Sequence, residues 1–393
     1  MGFFVAMGLA FFCSLWLSGV SIRAVQRLRF GMDNSKRVQR VHLSDIPRVG
    51  GLAVFIAFII GILGLAWISE EFVAESAFLI VCCLPAFAIG LLEDITEKAK
   101  PKIRLFVPVI GACLAWWLLD AKLTTVDIPL ADSLLRQYPI ITFILTMIAV
   151  SGVTHAVNIV DGCNGLSSFV GMAVLSVLAL VAWEVGDQFV FATALLGAAS
   201  LFGFFLWNFP LGRIFIGDGG AYFTGFLIAV LSIMLVRHNP EVSPWFPLLA
   251  MLYPIWETLY SMYRRAVIRK LPMMQPDKLH LHQLIYFRLI KFLISSPSVL
   301  TQAVRSSIAA TYLWVITLMC VLPAALFWSN SAVLKLCSLL FIVSYLVVHT
   351  RLVQFRAPKF IAIRHVRKDV AGLEQSECLV PGEKTKVLQG VVE

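Results

Sequence analysis

The sequence predicts an all-α polytopic integral membrane protein with about eleven transmembrane helices, its N-terminus outside and its C-terminus cytoplasmic. Three observations predict it. The 393-residue chain is 59% apolar and only 14% charged, whereas soluble domains carry about 25% charge. Apolar runs long enough to cross a bilayer recur along most of its length. Lysine and arginine gather in alternate connecting segments. The net charge is +9. A soluble nucleic-acid binder can share that sign but not this hydropathy, so no nucleic-acid partner is expected.

The first run, 2–21, could imitate a signal peptide. It lacks a basic leader and a clear cleavage site, and further spans follow, so it reads as a retained helix. Runs at 50–68, 77–92, 105–120, 137–154, 167–184, 189–207, 219–236, 244–260, 303–324 and 331–349 complete the set. Their lengths suit helices; barrel strands would alternate over about ten residues. Most of the eight cysteines lie within these runs. There they pack as small hydrophobes, with neither a disulfide framework nor a thiolate metal site.

Basic residues fix the orientation. Segments 22–49, 93–104 and 261–302 and the tail after 350 hold most of them, and eleven spans place all four on one face with 155–166 and 208–218. The other face has little beyond Lys122, Arg136, Arg237 and Lys335, and carries Glu70, Glu71 and Glu75. The basic face is therefore expected to be cytoplasmic. This divides the chain into a transmembrane domain, 1–350, with loops 22–49, 93–104, 155–166, 208–218 and 261–302, and a cytoplasmic tail, 351–393.

Five polar stretches interrupt the apolar pattern on that face. They are HLSDIPRVGG (42–51), LLEDITEKAKPKIR (91–104), NIVDGCNG (158–165), FPLGRIFIGDGGAYFTG (209–225) and PDKLHLHQLIYFR (276–288). A lone Asp-Gly near a helix end is usually a turn or cap. Four carboxylates at helix ends, Glu93, Asp94, Asp161 and Asp218, with two histidines, read instead as one site. Hard oxygen donors suit a divalent ion such as Mg2+, which commonly holds substrate phosphates. Nearby Arg and Lys attract further negative charge, and glycine-rich loops let backbone approach a phosphate. Metal-assisted phosphoryl transfer at the membrane surface follows. A cation-coupled transporter is the rival reading, but its carboxylates would lie near the midplane, in paired broken helices.

These motifs resemble the polyprenyl-phosphate N-acetylhexosamine-1-phosphate transferases, over roughly residues 20–350. That family includes initiators of O-antigen, common-antigen and teichoic-acid linkage synthesis and the phospho-MurNAc-pentapeptide transferase. The resemblance implies transfer of a sugar 1-phosphate from a UDP-N-acetylhexosamine to undecaprenyl phosphate, with UMP released and Mg2+ or Mn2+ required. It implies an inner-membrane enzyme in contact with membrane lipid, and leaves a homodimer open.

Carried over residue by residue, the acidic pair is Glu93-Asp94, where the family commonly has Asp-Asp, with Lys102 and Arg104 as phosphate contacts. Asn158 and Asp161 match the second motif; its later Asp is Asn164 here, a nucleotide or positioning contact. Asp218 matches the metal ligand, with Arg213 and Phe215 as weaker nucleotide-pocket candidates. Lys278, His280 and His282 resemble the donor-binding loop, Gln283 replacing a further His. Asp33, or alternatively Asp45, resembles the acceptor-side Asp. Asp94 or Asp161 would orient the acceptor. Direct attack by the acceptor phosphate is preferred over a covalent phospho-enzyme, because that phosphate is itself a competent nucleophile near neutral pH. The histidine loop looks closer to the O-antigen and common-antigen branch, so UDP-GlcNAc or a 6-deoxy relative is the expected donor.

Overall fold

The computed structural model describes residues 2–28, 46–68, 70–270, 272, 279–290 and 299–354. The chain divides into Met1–Val353, which holds every described helix, and Gln354–Glu393, which lies outside the described residues apart from Gln354.

The helices are α1 (Gly2–Leu28), α2 (Gly50–Ile68), α3 (Val73–Thr96), α4 (Pro101–Leu118), α5 (Pro129–Gln137), α6 (Pro139–Val160), α7 (Leu166–Val185), α8 (Gln188–Asn208) and α9 (Gly217–His238). After these come α10 (Trp245–Ala250), α11 (Leu252–Tyr263), α12 (Leu281–Leu284), α13 (Val299–Leu326) and α14 (Ser331–Val353). Local chemistry sets several boundaries. Proline, preset for a first helical turn and lacking an N–H to satisfy, opens α4, α5 and α6. Between α7 and α8, Gly186 takes the left-handed turn, and the Asp187 carboxylate caps α8 by accepting from Val190 N at 3.1 Å.

Among the described residues, ten helices are long and apolar enough to cross a membrane: α1 to α4, α6 to α9, α13 and α14. The chain is an all-α polytopic membrane protein. Its outer surface is apolar too: Phe4 and Trp16 on α1 are 69% and 67% exposed, and Leu340 on α14 is 59% exposed. Such a face suits lipid and would aggregate in water.

The ninth apolar run, 244–260, differs from its expected single span. It is broken at Met251 into α10 and α11. Pro254 lacks the N–H that would bond the Ala250 carbonyl, which removes one rung of the ladder beside the break. A short π-helical turn, Arg264–Ile268, continues α11.

Helix α9 is the hub. It is buried from Gly217 to Val236 and packs against α2, α3, α4, α6, α7 and α8. In a bilayer no hydrophobic force drives helices together, so close backbone approach through small residues matters. Gly90 on α3 provides it: a Cβ there would lie 2.5 Å from Gly219 Cα on α9. Gly90→Val should therefore overpack this crossing and cost about 1–3 kcal/mol. Thermal unfolding in detergent would show a lowered midpoint. Gly152→Ala, at a glycine with open space around it, should leave the midpoint unchanged.

Candidate active site

The site forms where α3 and α6 end and α2, α4 and α9 begin. Its centre is Asp218, in the first turn of α9. The opening amides of a helix have no partner within it. Here Asp94, at the end of α3, supplies one: Oδ1 accepts from Asp218 N and Oδ2 from Gly219 N, both at 2.9 Å. Gly217 takes φ +71°, and a side chain there would overlap the Arg48 carbonyl and crowd Asp94. The Gly-Asp-Gly-Gly pattern is thus the shape of a crowded helix start.

Two guanidinium groups lie on Asp218. Arg104 Nη1 donates to Oδ2 at 2.8 Å, and Arg48 Nη2 to Oδ1 at 3.3 Å. Asn158 Nδ2 also donates to Oδ1, at 3.1 Å. Segment 46–51 is delivered by backbone bonds to the stretch before α9: Phe215 N to Pro47 O at 2.8 Å, and Gly50 N to Phe215 O at 3.0 Å. Glu93 uses its longer arm on two partners. Oε2 accepts from Ala99 N at 3.0 Å, and Oε1 from Arg104 Nη1 at 3.3 Å. It therefore holds the α3–α4 turn and steers Arg104 onto Asp218.

The knot after α6 is turned inward at one end and outward at the other. Asp161 accepts from the Ser167 hydroxyl at 2.5 Å. Burial raises its carboxyl to about 6; the Ser167 bond and Arg48 oppose this and the Asp218 charge adds to it. Asn164 has no exposed surface. Its Nδ2 donates to Pro210 O at 3.1 Å and Ala303 O at 3.4 Å, and its backbone N to Ser306 Oγ at 3.0 Å. These bonds tie Asn164 to the stretch before α9 and to α13. Asn there serves the fold because an ionised Asp cannot donate. Asn208 ties the knot to the Asp218 stretch, accepting from Gly165 N at 2.6 Å and donating to Ile214 O at 2.7 Å.

The histidine stretch reaches the same knot. The His282 ring fills the space beside Gly162, where a Cβ would overlap it. Burial, reinforced by His280, holds His282 down to about 3, so its ring is neutral. The rings of His280 and His282 are parallel, 5.5 Å apart between centroids. His280 Nδ1 lies 2.9 Å from Oε1 of Glu257, a fully buried carboxylate on α11.

The structure thus gathers Glu93, Asp94, Arg104, Asn158, Asp161 and Asp218, with His280 and His282 joined through Gly162. Lys102 is exposed on the first turn of α4. Arg213 lies over the Trp207 ring at 5.8 Å. Asp33, Asp45 and Lys278 lie outside the described residues. Sequence reasoning missed three members. Arg48 stood within a quoted motif without a role, Asn208 had no signal beyond its place beside Pro210, and Glu257 was concealed in an apolar run.

For a cation, the centre offers oxygen donors, and Asp218 is its best-placed carboxylate. Among the described residues no three His, Cys, Asp or Glu side chains form a ready-made cage. Mg2+ is commonly held by one or two carboxylates plus substrate phosphates, so the residues fit. Between α6, α9 and α10–α11 lies an apolar cavity of about 490 Å³, lined by Leu145, Ala149, Val153, Ile228, Ser232 and Trp245 among others.

Fold and site define a polytopic membrane protein with a buried ionic centre built from helix ends. Residues 76–236 match the family described as Glycosyl transferase family 4. The chain is 29% identical to the probable undecaprenyl-phosphate N-acetylglucosaminyl 1-phosphate transferase of Bacillus subtilis, over 70% of this chain and 75% of that protein. It is 32% identical to the phospho-N-acetylmuramoyl-pentapeptide-transferase of Clostridium beijerinckii, over 58% of this chain and 72% of that protein. The undecaprenyl-phosphate alpha-N-acetylglucosaminyl 1-phosphate transferase of Thermotoga maritima is 26% identical, over 62% and 69%. The chain belongs to the polyprenyl-phosphate N-acetylhexosamine-1-phosphate transferase family.

Asn164→Asp tests the inward face of the knot. It sets a carboxylate against two carbonyl oxygens, and each buried group left unsatisfied costs about 1–3 kcal/mol. The thermal midpoint should fall at pH 7.

Proposed function

We propose that the protein transfers N-acetylhexosamine 1-phosphate from a UDP-sugar to undecaprenyl phosphate and releases UMP. UDP-GlcNAc or a 6-deoxy relative is the proposed donor, Mg2+ or Mn2+ the cofactor, and the cytoplasmic face of a bacterial inner membrane the location. The observation that carries this reading is Asp218: a carboxylate fixed at a helix start, between two guanidinium groups, in a member of this family. Its relatives' names describe the same class of reaction.

Eleven crossings, with the N-terminus outside, fit the chain's path. α9 finishes at the end away from the site, and α13 begins beside Asn164. The broken pair α10–α11 carries the chain back between them. Among the described residues, Arg48, Lys102 and Arg104 then fall on the site's side, in keeping with the positive-inside bias.

Asp218 would hold the metal, with Asn158 beside it and Asp94 locking its position. The metal, when bound, would neutralise the donor diphosphate and favour departure of UMP. Arg48 and Arg104 would meet phosphate oxygens, and Lys102 would add positive charge at the entrance. Asp161 would orient the acceptor phosphate, whose second pKa is about 6 and which attacks directly. His280 and His282, with Lys278, would meet the donor's sugar phosphate. Asp33 would serve the acceptor side. The apolar cavity supports a prenyl-chain site, since it runs between helices close to the lipid face.

Purified protein in detergent, given undecaprenyl phosphate, Mg2+ and labelled UDP-GlcNAc within a panel of UDP-sugars, should form butanol-extractable product and UMP. Asp218→Asn should lower kcat by roughly 10²–10³-fold, and EDTA should stop the reaction. Folded protein that neither forms product nor binds any nucleotide sugar would end this reading and return attention to transport.

Acidity supplies a second test. Asp161 is raised to about 6, so its carboxylate form predominates above that pH and is lost below it. The acceptor phosphate also becomes doubly charged near about pH 6. Activity should therefore fall on acidification with a slope approaching two protons. The residual activity of Asp161→Asn should fall with a slope of one.

A further inference from the structure

The geometry points to Glu257 as a positioning residue: through His280 it sets how the histidine loop meets the UDP-sugar. This inference rests on the preceding reading that His280 contacts the donor.

Glu257 lies within an apolar helix, α11, and has no exposed surface. A carboxylate in such a place is costly unless paired and hydrogen-bonded. Here donors from two separate segments, the histidine stretch and α14, converge on it. His280 Nδ1 lies 2.9 Å from Oε1. Leu281 N donates to both oxygens at 3.3 Å. The Tyr345 hydroxyl of α14 donates to Oε2 at 2.6 Å. A carboxylate receiving a backbone amide and a phenol is an acceptor, so the hydrogen between it and His280 belongs to Nδ1.

That bond decides which ring atom the loop presents. With hydrogen fixed on Nδ1, Nε2 is the nitrogen left to meet a ligand. His282 packs on Gly162 with a neutral ring, so whatever it offers the donor carries no charge. Stacked parallel to His280, it acts as a spacer that sets the ring plane. The groups around His280 are Glu257 on α11, Tyr345 on α14 and His282 on its own loop. One step further out, His349 on α14 lies 3.1 Å from the Leu279 carbonyl and 3.0 Å from Arg264 Nη1. α11 and α14 therefore both hold the loop, and Glu257 is the group that meets the His280 ring at Nδ1 among the described residues.

A contact that serves ground state and transition state alike changes KM and spares kcat. Glu257→Gln keeps the shape and one acceptor but removes the charge and its two-oxygen reception. It should raise the UDP-sugar KM by about tenfold or more with kcat changed less than about threefold. Tyr345→Phe, which removes one bond without creating a large void, should shift KM in the same direction by less. Independently of activity, 15N-histidine NMR of the detergent-solubilised protein should show hydrogen on His280 Nδ1, assigned with His280→Asn, and a moved resonance in Glu257→Gln. Unchanged KM in both variants, or an unmoved His280 resonance, would overturn the inference. So would a fall in kcat and thermal midpoint without the KM split, because that pattern is structural support alone. Wild-type protein that turns over no UDP-sugar would sink the proposed function, while the NMR arm would still decide whether Glu257 fixes the ring.

Discussion

The paired bonds from the Asp94 carboxylate to the amides of Asp218 and Gly219 set the rest of the site. They answer a problem that any buried helix start poses. Opening N–H groups need acceptors, and inside a membrane protein water is scarce, so leaving them unmet costs several kcal/mol each. Meeting them from α3 rather than from a local cap joins two helices end to end at one point. The Asp218 side chain is then free to face the cleft, because another residue has taken over the capping. The crowding follows as well. Gly90, Gly217 and Gly219 are small because two backbones meet there.

Charge balance is the second layer. Glu93, Asp94, Asp161 and Asp218 outnumber the guanidinium groups of Arg48 and Arg104 that reach them among the described residues. Burial of such a group is tolerable only with further hydrogen bonds, and the structure supplies them from Ala99 N, Ser167, Asn158 and the α9 amides. In the proposed reaction a metal at Asp218 and the donor diphosphate would bring opposite charges to the carboxylates and to the two arginines.

Much of this was legible in the chain. Run length made the helices readable, because a bilayer demands about 20 apolar residues whatever the packing. Polar knots at the ends of such runs stood out for the same reason. Contacts across the bundle were not legible. Pro254 was visible, yet the run 244–260 still had the composition of a span, so its break at Met251 went unread. Asn164 looked like a lost charge beside the family pattern, and only the carbonyls of Pro210 and Ala303 explain it as a donor. Glu257 was one acidic residue in a greasy segment. Its partners are 23 and 88 residues away in sequence, beyond any local pattern.

The knot at 158–165 connects the two sides of the site. Asn158 and Asp161 are three residues apart, so the last turn of α6 brings them to one face, toward Asp218 and Arg48. Gly162 follows and yields its side-chain space to His282. Asn164 then turns inward and bolts the loop to α13 and to the stretch leading into α9. Eight residues thus touch the ionic centre, the histidine loop and the scaffold in turn. A one-residue insertion there would move Asp161 off its face and displace His282 together. The polarity of this stretch therefore reflects geometry as much as chemistry: each residue type is the one its own neighbour can accept.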